Sequence, residues 1–149
     1  MKFFDKLNGA IERNQSLLYV GLDPDPEVWS KLYGSWESVS SHWWGLQEWL
    51  QFLLAETADL VCAYKLTWEF YCVLGSSGVE LLRSCLKTIP AEMPVILDAQ
   101  HSGINTSTVF AQRIFAEWQV DAVTLNPYMG EDEAAPFLLY PDKAVFVLC

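Results

Sequence analysis

Four polar side chains stand at the carboxyl ends of apolar runs of strand length: Asp23 after Leu17–Leu22, Lys65 after Leu60–Tyr64, Asp98 after Pro94–Leu97, and Asn126 after Asp121–Leu125. A cation gathered with carboxylates shifts the ionisation of all of them and is a frequent catalytic arrangement. Lys65 and Asp98 end runs that should be neighbours in a sheet, so their charges are expected within a few ångströms of each other. Residue spacing leaves two readings of that pair side by side, a catalytic ion pair and a structural salt bridge at a sheet end.

The remaining reactive residues form no constellation of their own. His101 follows the third run and His42 sits in a Ser- and Trp-rich stretch, neither with a second ligand at metal spacing. Both read as surface or rim histidines, and no metal is expected. Ser102, Ser107 and the Thr106–Thr108 cluster lack a nucleophile-elbow motif and read as helix-capping residues. Cys62, Cys72, Cys85 and Cys149 show no CxxC spacing and read as free thiols, three of them within apolar patterns.

The elements that must position these groups follow from periodicity. Helical spacing of apolar residues predicts helices over Phe3–Arg13, Trp43–Ala58, Trp68–Leu74, Gly78–Thr88, Asn105–Trp118 and Glu131–Tyr140, with Asn105 or Thr106 as an N-cap. Strands are predicted over Leu17–Asp23, Leu60–Lys65, Pro94–Ala99, Asp121–Asn126 and Lys143–Cys149. Pro24 and Pro26 end the first of them. Residues 27–42 read as a long excursion with one short helix.

Near-continuous apolar strands alternating with amphipathic helices predict a parallel α/β sheet with both faces covered. Two architectures satisfy this, an open doubly wound sheet and the first five strands of a (β/α)8 barrel. A dinucleotide-binding sheet would carry a glycine-rich turn after its first strand, where this chain has Asp23-Pro24-Asp25-Pro26. Polar residues recurring at successive strand ends favour the barrel, whose sites lie on that rim. The expectation is one domain over residues 1–149, an incomplete barrel with open strand edges that invite a second copy or a sheet-completing partner.

Composition narrows the partners. The chain has 149 residues, 52% of them hydrophobic, with seven tryptophans and a formal charge of −10. Nine basic residues spread along an acidic chain offer no phosphate-binding stripe, so nucleic acid is excluded. No apolar run has membrane-spanning length, and the amino terminus lacks a signal-peptide pattern, so a cytoplasmic location is expected. Trp43, Trp44 and Trp49 with Leu46, Leu50, Phe52 and Leu53 make a bulky apolar helix, any exposed part of which would be a partner surface.

Four segments together resemble the type 2 orotidine 5′-phosphate decarboxylases: Leu18-Tyr19-Val20-Gly21-Leu22-Asp23-Pro24-Asp25-Pro26, Ala58-Asp59-Leu60-Val61-Cys62-Ala63-Tyr64-Lys65, Pro94-Val95-Ile96-Leu97-Asp98-Ala99, and Val120-Asp121-Ala122-Val123-Thr124-Leu125-Asn126-Pro127-Tyr128. The resemblance implies a (β/α)8 barrel, usually dimeric, acting as a cofactor-free carboxy-lyase on orotidine monophosphate in pyrimidine biosynthesis. It implies a ribose-binding role for Asp23, substrate-binding roles for Ile104 and Asn126, and the first lysine and first aspartate of a Lys-Asp-Lys-Asp array at Lys65 and Asp98. The family's proton-donating lysine is here Gln100, and its second aspartate is Gly103. A glutamine amide carries no cation and delivers no proton near neutrality. The resemblance therefore implies a catalytically impaired member, with weak binding of orotidine or uridine monophosphate, and a pattern that in the family continues into a phosphate-gripping half.

Overall fold

The computed structural model describes residues 1–35, 43–103 and 105–149. Its centre is one five-stranded parallel sheet in the order β1-β2-β3-β4-β5: Tyr19–Gly21, Ala63–Thr67, Val95–His101, Ala122–Leu125 and Ala144–Val147. The spatial order equals the chain order, with no reversal. That excludes a doubly wound sheet, which switches direction after its first strands.

Helices separate the strands as periodicity predicts: α1 Phe3–Asn14, α2 Pro26–Tyr33, α3 Trp43–Thr57, α4 Trp68–Cys72, α5 Ser76–Thr88, α6 Ser107–Ala111 and α7 Glu131–Leu138. The short helix expected in the 27–42 excursion is α2. Pro26 opens it and Asp25 caps it, the carboxylate accepting from the Glu27 N–H at 2.8 Å. His42, Trp36 and the side chains of Trp43 and Trp44 lie outside the described residues.

The expected Asn105–Trp118 helix begins later and changes pitch. α6 runs only to Ala111 and continues as a π-helical turn over Gln112–Glu117. The wider turn brings Ala111, Ile114 and Phe115 all onto the buried side.

α1 crosses the amino-terminal end of the sheet. Phe3 N–H donates to Asp142, Asn14 Nδ2 donates to the carbonyls of Ala58 and Val61, and Lys6 pairs with Asp121 at 2.5 Å. Each partner lies just before a strand, so one amphipathic helix ties three strand starts together. On the other side of the sheet, Tyr64, Leu66, Leu97 and Leu125 pack against Leu46, Leu50, Leu81, Leu82, Ile114 and Phe137 in one core. Gly78 is buried at the α4–α5 junction, where an added Cβ would sit 1.8 Å from the Tyr71 carbonyl oxygen. Only glycine permits that approach.

Three strand expectations need correction. Leu17 and Leu18, expected in a buried strand, are 79% and 70% exposed, because β1 is three residues long and forms one edge of the sheet. Phe146 and Val147 of β5, at the opposite edge, are exposed for the same reason. β2 starts at Ala63 rather than Leu60, so Lys65 sits at its centre and not at its carboxyl end.

Candidate active site

Alternation along the strands places the polar groups. In β2, Tyr64 and Leu66 point into the helix-covered core, which turns Lys65 and Thr67 to the opposite face. Parallel register then aligns Gly21 with Lys65 and Thr67 with Asp98. The four positions share one face of three adjacent strands.

Lys65 Nζ lies 3.0 Å from Asp23 Oδ2, 3.7 Å from Asp98 Oδ2 and 2.6 Å from Thr67 Oγ1. The Thr67 contact is a hydrogen bond, and the two carboxylates pair with the same ammonium by charge. Each carboxylate has a second partner: the Thr67 N–H donates to Asp23 Oδ1 at 2.7 Å, and the Thr124 hydroxyl donates to Asp98 Oδ1 at 2.7 Å. About one-fifth of each charged side chain remains solvent-accessible, so the cluster is reachable but partly desolvated. A Cβ at Gly21 would come within 3.0 Å of Asp23 Oδ2, so a residue without one lets Asp23 and Lys65 meet. Asp23 itself is steadied from below, where the buried Tyr71 hydroxyl donates to the Leu22 carbonyl. Burial pushes the Tyr71 phenol well above its ordinary range, so it stays a neutral donor. Tyr71→Phe leaves that carbonyl without its hydroxyl partner and should cost about 1–3 kcal/mol in urea unfolding. An unchanged midpoint would show that the bond contributes nothing.

The next polar position departs from a regular strand. Leu97 pairs with Val123 and His101 with Leu125, so residues 98–100 face Thr124 alone. Thr124 Oγ1 accepts from the N–H groups of Ala99 and Gln100, at 3.0 and 2.8 Å, while donating to Asp98. One hydroxyl thus caps the whole bulge. Gln100 is exposed with φ of 41°, in the left-handed region.

Beyond the bulge, a partly buried hydrogen-bond chain fixes the segment that carries Gly103. His101 Nε2 lies 2.8 Å from Ser107 Oγ, and the Ser107 hydroxyl donates to Glu133 Oε2. Glu133 Oε1 accepts the Asn105 N–H at 2.9 Å. The Ser107 hydroxyl and the Asn105 N–H hold the Glu133 carboxyl below its usual range, so it is an acceptor only. Ser107 must then donate to Glu133 and accept from His101, which places the imidazole proton on Nε2. The His101 ring also stacks on Phe110 at 4.8 Å. A Cβ on Gly103 would lie 2.2 Å from Thr106 Oγ1 and 2.9 Å from His101 Cε1. The expected side-chain cap from Asn105 or Thr106 is absent, and Glu133 from α7 serves the start of α6 instead.

Burial pushes His101 below its ordinary value, opposed by Glu133. Both groups titrate in the destabilising direction in acid. The unfolded chain protonates histidine from about pH 6.5 downward and glutamate from about pH 4.3, each before the folded form does. Protection of the amides of 105–107 against hydrogen exchange, taken relative to the intrinsic rate at each pH, should therefore fall first below about pH 6.5 and again below about pH 4.3. Glu133→Gln should remove most of the lower step. A profile flat across both windows would contradict the assignment.

The structure thus joins Asp23, Lys65 and Asp98, with Gln100 one step away on the bulge. Asn126 is turned to local work, its Oδ1 accepting the Tyr128 N–H at 3.0 Å to cap a 3-10 turn at Pro127–Met129. Ile104 lies outside the described residues. Thr67 and Thr124 were missed in sequence. Thr67 stands two residues after Lys65, and Thr124 interrupts an apolar run, and those were the available signals. Of the four free thiols, Cys62 and Cys85 are buried and Cys72 and Cys149 exposed. Burial pushes Cys85 up to about 12, so it is chemically quiet.

No protein-family model matches the chain. It is 58% identical over 149 residues to the bifunctional enzyme PyrF/PyrE of a Nostoc species, covering all of this chain and 30% of that protein. It is 40% identical over 150 residues to orotidine 5′-phosphate decarboxylase of Dehalococcoides mccartyi, covering 52% of it. Among solved structures, Leishmania donovani OMP decarboxylase superposes with a TM-score of 0.80 at 34% identity, over all of this chain and 54% of that one. Leishmania donovani UMP synthase gives a TM-score of 0.82 at 35% identity, with 30% of its length covered. The chain spans at most about half the length of these relatives, and its sheet is correspondingly a partial (β/α)8 barrel. The chain is thus a homologue of the orotidine 5′-phosphate decarboxylases, matching the N-terminal part of their fold.

Proposed function

We propose that this chain carries the Asp23–Lys65–Asp98 part of an orotidine monophosphate site and that, with glutamine at position 100, it does not complete decarboxylation at an enzymatic rate. The observation that carries the reading is the placement of Lys65 between the carboxylates of Asp23 and Asp98, with the Thr67 hydroxyl accepting from it. Loss of carbon dioxide leaves an electron pair on a pyrimidine carbon, which must be met by a cation and then a proton. Lys65 is already paired by charge with two carboxylates. Gln100 offers a neutral amide at the position where the resemblance implies the proton donor. Positioned proton transfer contributes about 10²–10⁴ in rate, and stabilisation of the developing charge would be lost with it.

The charge balance points the same way. Two carboxylates and one ammonium leave the rim one negative charge in excess, so a substrate carboxylate placed beside Asp98 is repelled with no second cation to hold it. Uncharged ribose hydroxyls suit the same three side chains better. Measured on protein purified from a host without its own decarboxylase, uridine monophosphate should not form above the uncatalysed background. Turnover that disappears on Asp98→Asn would defeat the reading.

A further inference from the structure

A concave feature lies away from the rim, at the amino-terminal end of the sheet. It is a hollow of about 520 Å³ between α1, α5, the segment leading into β3 and the end of the π-helical turn. That volume lies within the range of small-molecule sites, about 300–1,000 Å³. Three of the chain's nine basic residues line it, Lys6, Arg83 and Lys87, although the chain as a whole carries −10.

The acids in its wall are already neutralised. Asp121 is held by Lys6 at 2.5 Å and accepts the Val95 N–H at 2.9 Å, and Glu117 pairs with Arg113 at 2.5 Å. Arg83 and Lys87 stand one turn apart on α5, exposed, and neither enters an ion pair among the described residues. The two are left as a pair of uncompensated cations over one opening. Between them and the sheet the floor is apolar, with Ile89 and Met93, and the half-buried Trp118, whose ring also packs on Trp68 at 5.3 Å, lines one side. A guanidinium and an ammonium a turn apart suit a phosphate or diphosphate. An indole over an apolar floor suits a flat ring.

We propose that this hollow binds a small phosphorylated ligand bearing a planar ring, a compound of the nucleotide class, at a site separate from the Asp23–Lys65–Asp98 rim. The site draws its residues from α1, α5 and the turn before β4, and it requires nothing of the rim chemistry.

Adenosine diphosphate is the probe, with inorganic pyrophosphate and adenosine as its two halves, measured by equilibrium dialysis on the full chain at low salt. Saturable binding of the diphosphate is expected, weakening as salt rises. Arg83→Glu/Lys87→Glu should reduce affinity by at least about tenfold, Arg83→Gln/Lys87→Gln by less, and Trp118→Leu by about three- to tenfold. All three substitutions are followed by circular dichroism, and the milder pair serves if the reversal impairs folding. No saturable binding at millimolar diphosphate, or binding indifferent to both α5 pairs, would overturn the proposal. So would pyrophosphate binding as tightly as the diphosphate, since the ring would then contribute nothing. Binding lost on Asp98→Asn would place the ligand at the rim and overturn it equally.

Discussion

Lys65→Met is expected to lower stability by about 2–4 kcal/mol, the largest effect of any single change at the rim. Methionine keeps the length and apolar stem of lysine, so packing on β2 is preserved and the loss is electrostatic. Asp23 and Asp98 would then face each other with, among the described residues, Thr67 and Thr124 as their hydrogen-bond partners. Removing one partner from a partly desolvated cluster leaves the others uncompensated, which is why the cost exceeds that of an exposed ion pair. Urea unfolding at neutral pH measures it. A midpoint equal to that of wild type would mean that the charge of Lys65 contributes nothing to stability.

Gln100→Lys/Gly103→Asp should restore little turnover, no more than about tenfold, although it rebuilds the charge alternation that the resemblance implies and would otherwise be worth about 10²–10⁴. The obstacle is steric and lies beside His101. Thr106 can rotate its hydroxyl away from a new Cβ at 103, but the His101 ring cannot yield as cheaply, because Phe110 stacks on one side and Ser107 holds Nε2. Forcing extra atoms into a packed position costs about 1–3 kcal/mol, so the double variant should also unfold at lower urea. Adding His101→Ala should recover part of that stability. Rescue of turnover by more than about a hundredfold in the double variant would show that the loop repacks freely and that charge alone was missing.

These outcomes also measure what could be read from the chain directly. Five apolar runs and the helical stretches between them were legible because the residues that face the shared core are apolar and recur at strand and helix spacing. Asp23, Lys65 and Asp98 were legible because packing alone seldom puts a charge at the end of such a run. The sequence missed Thr67 and Thr124, since a hydroxyl inside an apolar strand is usually spent on its own backbone. It also missed the role of Glu133, because a carboxylate 28 residues after Asn105 reaches that amide only through the packing of α7 on α6. Leu17 and Leu18 misled for the opposite reason. Apolar type marked them for burial, and their place on an edge strand left them in solvent.

The bulge in β3 has a consequence for how this chain can change over time. Three residues, Asp98, Ala99 and Gln100, are carried against one, while the ladder resumes in register at His101. That slack separates heredity of the fold from heredity of the chemistry. Replacements at position 100 leave the ladder on either side in register, so this one site can vary without unmaking the sheet.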